Sequence, residues 1–361
     1  AYDADSEGIE GKFYVWKKSE IKEILGSEAD LFCLYYDVTD GGNWEGNNIL
    51  CNNINISTVA FNFGITEEKV RDILKLCSEK LLKVRSMRTC PGLDDKILVS
   101  WNSLMITAFA KGYRVTNNPK YLNAAKTCIA FIESNLFEDG KLLRTYKNGT
   151  AKIDGYLEDY SYFVNALLDV FEIEPEPKYL KLALKLGHHL INHFWDSENN
   201  SFFMTSDDHE KLIIRPKSNY DLSLPSGNSV SAFVMLRLYH LSQEQNFLEI
   251  ATKILESQAQ MAAENPFGFG YLLNTLSIYL QKPVEITIIN TENSEICKSL
   301  LTNYLPNSFI VTIQNSTQLE NLSKYPFFTG KTFEDKTLVF VCKNFSCSLP
   351  LYTIDEINSH L

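Results

Sequence analysis

The sequence contains no apolar run long enough to cross a lipid bilayer. A transmembrane helix requires roughly 20 consecutive apolar residues, and the longest uninterrupted apolar stretches here are short segments such as residues 338–342. A charged leader followed by an apolar signal core is also missing. These absences predict a soluble protein with no membrane partner.

Positive charge is in deficit. The chain has 34 lysine and arginine residues against 45 aspartate and glutamate residues, which gives a formal net charge of -11 at pH 7. A protein with this charge repels a phosphate backbone on average. We therefore expect no nucleic acid among its partners.

The eight cysteines lack the spacings of metal sites and redox motifs. None forms a Cys-x-x-Cys pair or stands at ligand spacing from a histidine. We interpret them as the reduced, mostly buried thiols of a cytoplasmic protein, although the nearest pair, Cys342 and Cys347, could form a disulfide under oxidising conditions. His188, His189 and His193 fall on one predicted helix, but the glutamate of a metalloprotease motif is missing. We therefore expect no metal and no cofactor.

What the sequence does contain is an internal repeat. With 361 residues, of which 45% are hydrophobic, the chain has enough apolar material for a large core. At three places a turn is followed by an aromatic residue, a leucine and, three residues further, an alanine. The three copies are Tyr121, Leu122 and Ala125; Tyr179, Leu180 and Ala183; and Phe247, Leu248 and Ala251. Each copy opens an amphipathic pattern that predicts an outer helix with one polar face.

Each predicted outer helix follows a segment that is apolar on nearly every face, namely residues 98–115, 157–171 and 226–241. Because a helix that is apolar all round must be buried all round, these segments are predicted inner helices. Repeated inner and outer helices predict a mainly α fold, an α/α toroid of helix hairpins that forms a partial ring.

The pattern differs at both ends of the chain. Residues 1–64 are rich in glycine and aromatic residues and are predicted to be an irregular entry segment of the toroid. Residues 65–283 carry the hairpins. Residues 284–361 alternate short β-branched runs with a helical pattern, which predicts a small C-terminal α/β segment.

Polar side chains interrupt the apolar pattern at the start of each inner helix. The first cluster is Asp94, Asp95 and Lys96 with Trp101 and Asn102; the second is Tyr156, Glu158, Asp159 and Tyr160; the third is Ser226, Gly227 and Asn228. For any one cluster, helix capping is a sufficient explanation. Three clusters on the same rim of a toroid predict instead a cleft lined with carboxylates and aromatic rings.

Such a cleft suits a sugar or another small polar ligand, because rings stack on apolar sugar faces and carboxylates accept hydrogen bonds from hydroxyls. The candidate catalytic pair is Asp94 or Asp95 with Glu158 or Asp159, since two carboxylates in different environments can divide the acid and base roles. The sequence leaves their separation open, and with it a retaining or an inverting outcome. The other residues of the three clusters are candidates for substrate binding.

Two motifs near the start of the chain add further candidates. Residues 3–8 have the acid density of a calcium loop, but no helix precedes them and Tyr14 stands where a bidentate glutamate would close the loop. Residues 41–47 lack the lysine of a phosphate loop and are predicted to be a turn. The substrate-binding candidates from these motifs are Asp3, Asp5, Glu7, Trp44 and Glu45.

Several longer motifs resemble a known family. They are DADSEG at 3–8, EGKFYVW at 10–16, WEGNNIL at 44–50, LDDKILVSWNSLM at 93–105, GYLEDY at 155–160, PSGNS at 225–229 and VCKNFSCSLP at 341–350. Together they resemble, over almost the whole chain, the thioredoxin-domain-containing family related to spermatogenesis-associated protein 20. Glu158 and Ser103 depart from the family pattern, which usually has aspartate and glycine at these positions.

The resemblance implies a thioredoxin-like domain followed by an α/α toroid of the six-hairpin glycosidase and sugar-epimerase type. Neither the thioredoxin-like domain nor the first toroid helices are found in this sequence, so we expect it to begin partway round the ring. The family's reaction is not established, and the resemblance therefore implies an architecture and candidate cleft residues without a substrate.

Three functional hypotheses follow. The first is a carbohydrate-binding or carbohydrate-active protein of the glycoside hydrolase or sugar epimerase type. The second is a non-catalytic scaffold or partner-binding module for a thioredoxin-like redox domain. The third is a partial ring whose exposed inner helices are covered by an upstream fragment or by a second chain.

Overall fold

The computed structural model describes residues 1–210, 213–289 and 294–361. The chain forms two compact units, Ala1–Asp95 and Lys96–Leu361. The domain limits expected from the sequence, 1–64, 65–283 and 284–361, stay a prediction.

The first unit is a small group of helices with its own core. Its elements are β1 (Asp5–Ser6), β2 (Ile9–Glu10), α1 (Lys18–Leu25), a 3-10 turn (Gly26–Glu28), α2 (Ala29–Tyr35), α3 (Ile56–Phe63) and α4 (Glu67–Arg85). Helix α4 is capped by Thr66, whose side chain accepts a hydrogen bond from the Lys69 N–H. Its buried stripe has helical spacing and consists of Val70, Leu74, Cys77 and Leu81. These side chains share one hydrophobic core with Trp16, Ile21 and Phe32.

Helix hairpins dominate the second unit. The helices are α5 (Val99–Thr116), α6 (Pro119–Asn135), α7 (Leu157–Ile173), α8 (Pro177–Phe194), α9 (Gly227–Ser242), α10 (Gln245–Glu264) and α11 (Gly270–Gln281), with a 3-10 turn at Pro266–Phe269. Inner helices α5, α7, α9 and α11 pack on one another in that order, and α6, α8 and α10 each pack on the inner helix that precedes them. The predicted mainly α fold, a partial α/α toroid with a small α/β segment, is confirmed. In the described part of the chain, no helix has both the length and the apolar character needed to span a bilayer.

The turns inside the hairpins follow from their residues. Asn117 and Gln243 adopt the left-handed conformation that ends α5 and α9, with φ of 52° and 58°. Pro119 and Pro177 occupy the first turn of α6 and α8, where a missing N–H costs nothing. The chain therefore reverses direction where the sequence predicts it.

The burial of the inner helices is uneven. Helices α7 and α9 are buried on almost every side, as predicted. The same prediction is wrong for α5, because Trp101 is 54% and Met105 48% exposed. Helix α5 is the first inner helix of its unit, so α6 and α7 cover one side and no earlier inner helix of the unit covers the other.

Short strands lie before the first hairpin and in the connections between hairpins. They are β3 (Ile97–Leu98), β4 (Phe137–Glu138), β5 (Lys141–Lys147), β6 (Thr150–Asp154), β7 (Trp195–Asp196) and β8 (Ser201–Phe202). Strand β5 pairs antiparallel with β3, β4 and β6, and β7 pairs with β8. The β5–β6 hairpin ends directly before α7, which brings β5 beside the start of that helix.

The C-terminal α/β segment belongs to the second unit. Its elements are β9 (Val284–Ile289), α12 (Glu295–Thr302), β10 (Ser308–Ile313), α13 (Ser316–Leu322), a 3-10 turn (Pro326–Phe328), β11 (Leu338–Lys343), β12 (Ser346–Cys347) and α14 (Ile354–His360). The sheet has the order β10-β9-β11-β12, and β9 and β10 are parallel. Alternate residues face opposite sides: Phe309 and Val311 join the core of the hairpins, whereas Ile310 joins a smaller core with α12 and α14.

Cys342 and Cys347 form a disulfide. The interpretation of every cysteine as a reduced thiol is therefore wrong for this pair, and the disulfide alternative holds. The reason is the register of the β11–β12 hairpin, which places the two cysteines directly opposite each other. The remaining six cysteines are free.

Candidate functional site

The N-terminal ends of α7 and α9 border a cleft of about 300 Å³, here called the helix-end cleft. Its lining consists of Tyr156–Glu158 from the start of α7, Ser226 and Gly227 from the start of α9, the intervening residues Ser218, Tyr220 and 222–225, and Met204. Four candidates from the sequence therefore meet in one cleft: Tyr156, Glu158, Ser226 and Gly227.

Hydrogen bonds hold the wall of the cleft that precedes α9. Ser226 caps the helix, since its hydroxyl accepts from the Ser229 N–H at 3.0 Å. Asp221 accepts from the N–H groups of Ser226 at 2.7 Å and Tyr271 at 2.8 Å. Because Tyr271 is at the start of α11, one carboxylate fixes the wall to two helix N-termini.

Asp159 is fully buried and serves the fold. Its carboxylate accepts from the N–H of Tyr156 at 2.9 Å, which forms part of a capping box, and from the N–H of Ser100 at 3.0 Å. It also pairs with Arg144 at 2.9 Å. Burial raises the pKa of Asp159, while Arg144 and the two N–H donors oppose that rise. The side chain joins the starts of α5 and α7 and is shielded from any ligand in the cleft.

Glu158 is the carboxylate that faces the cleft. Its side chain is 31% exposed and pairs with Arg144 at 2.8 Å. The Arg144 guanidinium lies 4.4 Å from the centre of the Tyr156 ring. Arg144 of β5 thus fixes Glu158 and Tyr156 together in the lining of the cleft.

Two further candidates from the sequence have structural contacts. The Tyr160 hydroxyl accepts from the Leu142 N–H at 2.9 Å, and its buried ring stacks on His189. The Asn228 amide pairs with both backbone groups of Phe202 and donates to the Ser218 carbonyl. Both side chains position the walls of the cleft without lining it.

The first polar cluster is divided between the two units. Lys96, Trp101 and Asn102 belong to the second unit, where the Asn102 amide donates to the Leu98 carbonyl at 2.8 Å. Asp94 and Asp95 are the last residues of the first unit. Their convergence with Glu158 and Asp159 stays a prediction.

A second cleft, of about 680 Å³, lies within the first unit and contains the candidates Glu7, Trp44 and Glu45. Glu7 pairs with Lys12 at 2.8 Å on its wall. Asp3 accepts from the Asp5 N–H at 3.2 Å, and neither of these two side chains lines the cleft. The early motifs therefore contribute three of their five candidates to one surface.

A histidine and two aspartates gather at the end of α8. His193, Asp207 and Asp208 place ligand atoms within 4.8 Å of one another. His193 already contacts Asp207 at 2.8 Å, and Asp208 pairs with Lys141 at 2.7 Å. Since an ammonium group already neutralises Asp208, we interpret the cluster as contacts that fix the loop at 207–208, through Asp207 on α8 and through Asp208 on β5.

Sequence reasoning missed Arg144, Asp221 and Tyr220. Arg144 lies on a short strand and Asp221 in a connection, where no periodic pattern indicates which side chain faces a helix end. The sequence shows that residue 221 is acidic and residue 220 is aromatic. Their position beside α9, however, depends on contacts between distant parts of the chain.

The fold and the cleft define a helix-hairpin protein with a ligand-sized cleft at the N-terminal ends of its inner helices. The chain is similar to spermatogenesis-associated protein 20 of Homo sapiens, with 28% identity over 378 residues that cover 95% of this chain and 48% of the human protein. It is also similar to the uncharacterized protein B0495.5 of Caenorhabditis elegans, with 27% identity over 393 residues, 99% of this chain and 53% of that protein. The chain thus spans about half the length of the curated relatives it matches. These relatives support the resemblance to the spermatogenesis-associated protein 20 family, while no family model matches.

Among solved structures, the chain is similar to an inactive variant of an α-1,6-mannanase of Salegentibacter, with a TM-score of 0.43 and 16% identity, covering 79% of this chain and 84% of the mannanase. Another is a cellobiose 2-epimerase from Bacillus thermoamylovorans, with a TM-score of 0.40 and 12% identity, covering 57% of this chain and 58% of the epimerase.

Proposed function

We propose that the helix-end cleft binds a carbohydrate or a similar polyhydroxylated ligand. The observation that carries the proposal is the fixed pair of Glu158 and Tyr156, held together by Arg144. An aromatic ring covers the apolar face of a sugar, and a carboxylate at the ring edge accepts hydrogen bonds from adjacent hydroxyls. Because Arg144 already holds both groups, the ligand does not have to order them.

Other residues of the lining offer complementary groups. Tyr220 is 47% exposed, and the hydroxyl residues Ser218 and Ser223 also line the cleft. The volume of about 300 Å³ is at the lower end of small-molecule sites, which span about 300–1,000 Å³. The cleft therefore suits one or two sugar rings better than a long chain.

The geometry favours binding over acid–base catalysis by the second unit alone. Hydrolysis of a glycosidic bond requires two carboxyl groups about 5–9.5 Å apart. Among the described residues that line the cleft, Glu158 is the only carboxylate, since Asp159 is buried beneath it. Hydrolysis of a glycosidic bond in this cleft therefore requires a second carboxylate that these lining residues do not supply.

The test is isothermal titration of the full chain with a panel of monosaccharides and disaccharides. We expect saturable binding that falls at least tenfold in Glu158→Gln and in Tyr220→Ala chains. Glu249→Gln is the matched control, because Glu249 pairs with Lys253 on outer helix α10. The absence of binding across the panel, or equal binding by Glu158→Gln and wild-type chains, would refute the proposal.

A second candidate function is binding of a protein partner in the same cleft. It is favoured by two leucines of the cleft wall, Leu222 and Leu224, which are 82% and 41% exposed. Burial of such a side chain stabilises a complex by about 1.5–3 kcal/mol. The thioredoxin-like domain implied by the resemblance is the partner to titrate. A Leu222→Ser chain should lose that partner and keep sugar binding, which separates the two functions.

A further inference from the structure

The two sulfurs of the C-terminal disulfide have different surroundings. Cys342 lies on β11 and is fully buried, whereas Cys347 lies on β12, at the edge of the sheet, and is exposed. An external thiolate can therefore approach Cys347 from solvent, while the fold shields Cys342. In an exchange reaction, Cys347 is therefore the sulfur that is attacked, and Cys342 is the leaving group.

A cation lies next to the exposed sulfur. The Lys331 Nζ is 3.8 Å from the Cys347 Sγ and also donates to the Phe327 carbonyl. Its ammonium lies over the rings of Phe327 and Phe340, at 5.1 and 6.0 Å from their centres. Burial lowers the pKa of Lys331 to about 8, and the Glu285 carboxylate opposes that fall. A thiolate at Cys347 would pair with this ammonium, and each charge would stabilise the other.

The fold can tolerate loss of the covalent bond. The bridged residues are only five apart in sequence, so the bond restricts the unfolded chain less than a bridge across a long loop does. Strand β11 is also paired with β9 from Leu338 to Cys342. Reduction therefore frees the edge hairpin without removing the sheet.

We propose that Cys342 and Cys347 form a thiol–disulfide exchange site, in which Cys347 is the sulfur that is attacked and Lys331 stabilises its thiolate. The partner is a dithiol. One of its thiolates attacks the Cys347 sulfur and forms a mixed disulfide, and Cys342 leaves as a thiolate that takes up a proton.

The second thiol of the partner then loses its proton, attacks the partner's own sulfur in the mixed disulfide and releases Cys347 as a thiolate beside Lys331. Two electrons pass from the dithiol, which becomes a disulfide, to the cysteine pair. Lys331 is a positioning residue, because it acts through the sulfur of Cys347.

The first test uses dithiothreitol as the dithiol and the full chain. The chain is equilibrated with graded ratios of reduced and oxidised dithiothreitol, its thiols are trapped with a maleimide, and the modified sites are counted by mass spectrometry. We expect a two-electron transition of this pair with an unchanged far-UV circular dichroism spectrum. A pair that stays oxidised in excess dithiothreitol, or a chain that unfolds on reduction, is a structural disulfide and overturns the proposal.

The second test measures alkylation of the reduced chain by iodoacetamide at pH 7. Cys90 is an exposed free thiol in the same chain and provides the reference rate. We expect Cys347 to react about tenfold faster than Cys90, because a neighbouring cation increases its thiolate fraction. Lys331→Met should remove that advantage, whereas Lys336→Met, which removes an ammonium that lies over the Tyr352 ring, should not. Equal rates for Cys347 and Cys90 in the wild-type chain would overturn the proposal.

Single-cysteine variants test the order of the two sulfurs. A Cys342→Ser chain keeps the exposed thiol and should form a mixed disulfide with oxidised glutathione. A Cys347→Ser chain keeps the buried thiol and should form it at least tenfold more slowly. Circular dichroism shows whether each variant is folded, and if one is not, the wild-type alkylation rates decide. The reverse order of reactivity would contradict the assigned role of Cys347.

Discussion

Gly227, the first residue of α9, lies directly against Leu157, the first residue of α7. A β-carbon at position 227 would stand 2.8 Å from the Leu157 Cγ and 2.9 Å from its Cδ2. Glycine therefore permits the close approach of the two helix starts that border the helix-end cleft. The two helix starts can come this close because position 227 has no side chain.

This contact predicts that Gly227→Ala destabilises the chain by about 1–3 kcal/mol, because the added methyl group overpacks a buried contact. The free energy of unfolding in urea measures the effect. Gly270→Ala is the matched control: Gly270 opens α11, and a β-carbon added there would meet no atom within 4 Å. The control should be neutral or more stable by about 0.4–1 kcal/mol. Equal stability of the two variants would show that α7 and α9 can separate at no cost.

The adjacent carboxylates Glu158 and Asp159 should respond differently to neutralisation. Asp159→Asn breaks a buried pair with Arg144 and should cost about 3 kcal/mol of unfolding free energy. Glu158→Gln affects a partly exposed pair and should cost less than about 1 kcal/mol. Urea unfolding of both chains at pH 7 measures the difference. A larger loss for Glu158→Gln would reverse the assignment of the structural and the ligand-facing carboxylate.

Much of the fold could be predicted from local pattern. Spacings of three and four between apolar residues indicate the helices, and the proline and asparagine residues of the turns indicate where the chain reverses. The exposed side of α5 could not be predicted, because Trp101 and Met105 resemble core residues until their neighbours are known. Burial depends on packing between hairpins, which a single helical pattern does not contain.

The site could be predicted only in part. Tyr156, Glu158, Ser226 and Gly227 were found because helix starts concentrate polar residues and glycine at recognisable positions. Side chains of consecutive helical residues point in directions roughly 100° apart, so Glu158 and Asp159 have different surroundings. The sequence could not show which of the two faces the cleft. Arg144 donates to both carboxylates, but it lies on strand β5, and only the tertiary structure brings it to the start of α7.

The lowered pKa of His189 predicts that the stability of the chain depends on pH. Burial, with a smaller effect of His193, lowers the pKa of His189 to about 4. In the unfolded chain a histidine takes up its proton near pH 6.5, so between about pH 6.5 and 4 the unfolded state binds more protons than the folded state. The free energy of unfolding should therefore fall as the pH is lowered through this range, by about 1–3 kcal/mol.

The measurement is a series of urea unfolding curves from pH 7 to pH 4 for wild-type and His189→Phe chains. Phenylalanine keeps a ring against Tyr160 and removes the proton-binding group, so the variant should show a flatter profile. His360→Asn is the control, because His360 is exposed in the last turn of α14. A wild-type slope that survives in His189→Phe would assign the pH dependence to other groups.

Arg237 forms charged contacts between two inner helices, and its replacement measures how much these contacts contribute to stability. It is buried in α9 and pairs with Asp169 at 2.9 Å and Glu172 at 2.7 Å on α7. Burial acts to lower the pKa of Arg237, but the Glu172 and Asp169 carboxylates outweigh it and raise that pKa. The guanidinium therefore stays charged. Its replacement leaves the buried Asp169 without a cation, whereas Glu172 keeps a longer contact with Arg114 of α5 at 3.6 Å.

Arg237→Met should accordingly lower the unfolding free energy by about 3–5 kcal/mol at pH 7. Arg71→Met, which breaks the exposed pair with Glu67, should change it by less than about 0.5 kcal/mol. The loss should shrink in a chain that also carries Asp169→Leu, because Arg114 still pairs with Glu172 at 3.6 Å and no buried carboxylate of this group then lacks a cation. If this double variant is no more stable than Arg237→Met, the cost lies in the packing of the arginine stem and not in its charge.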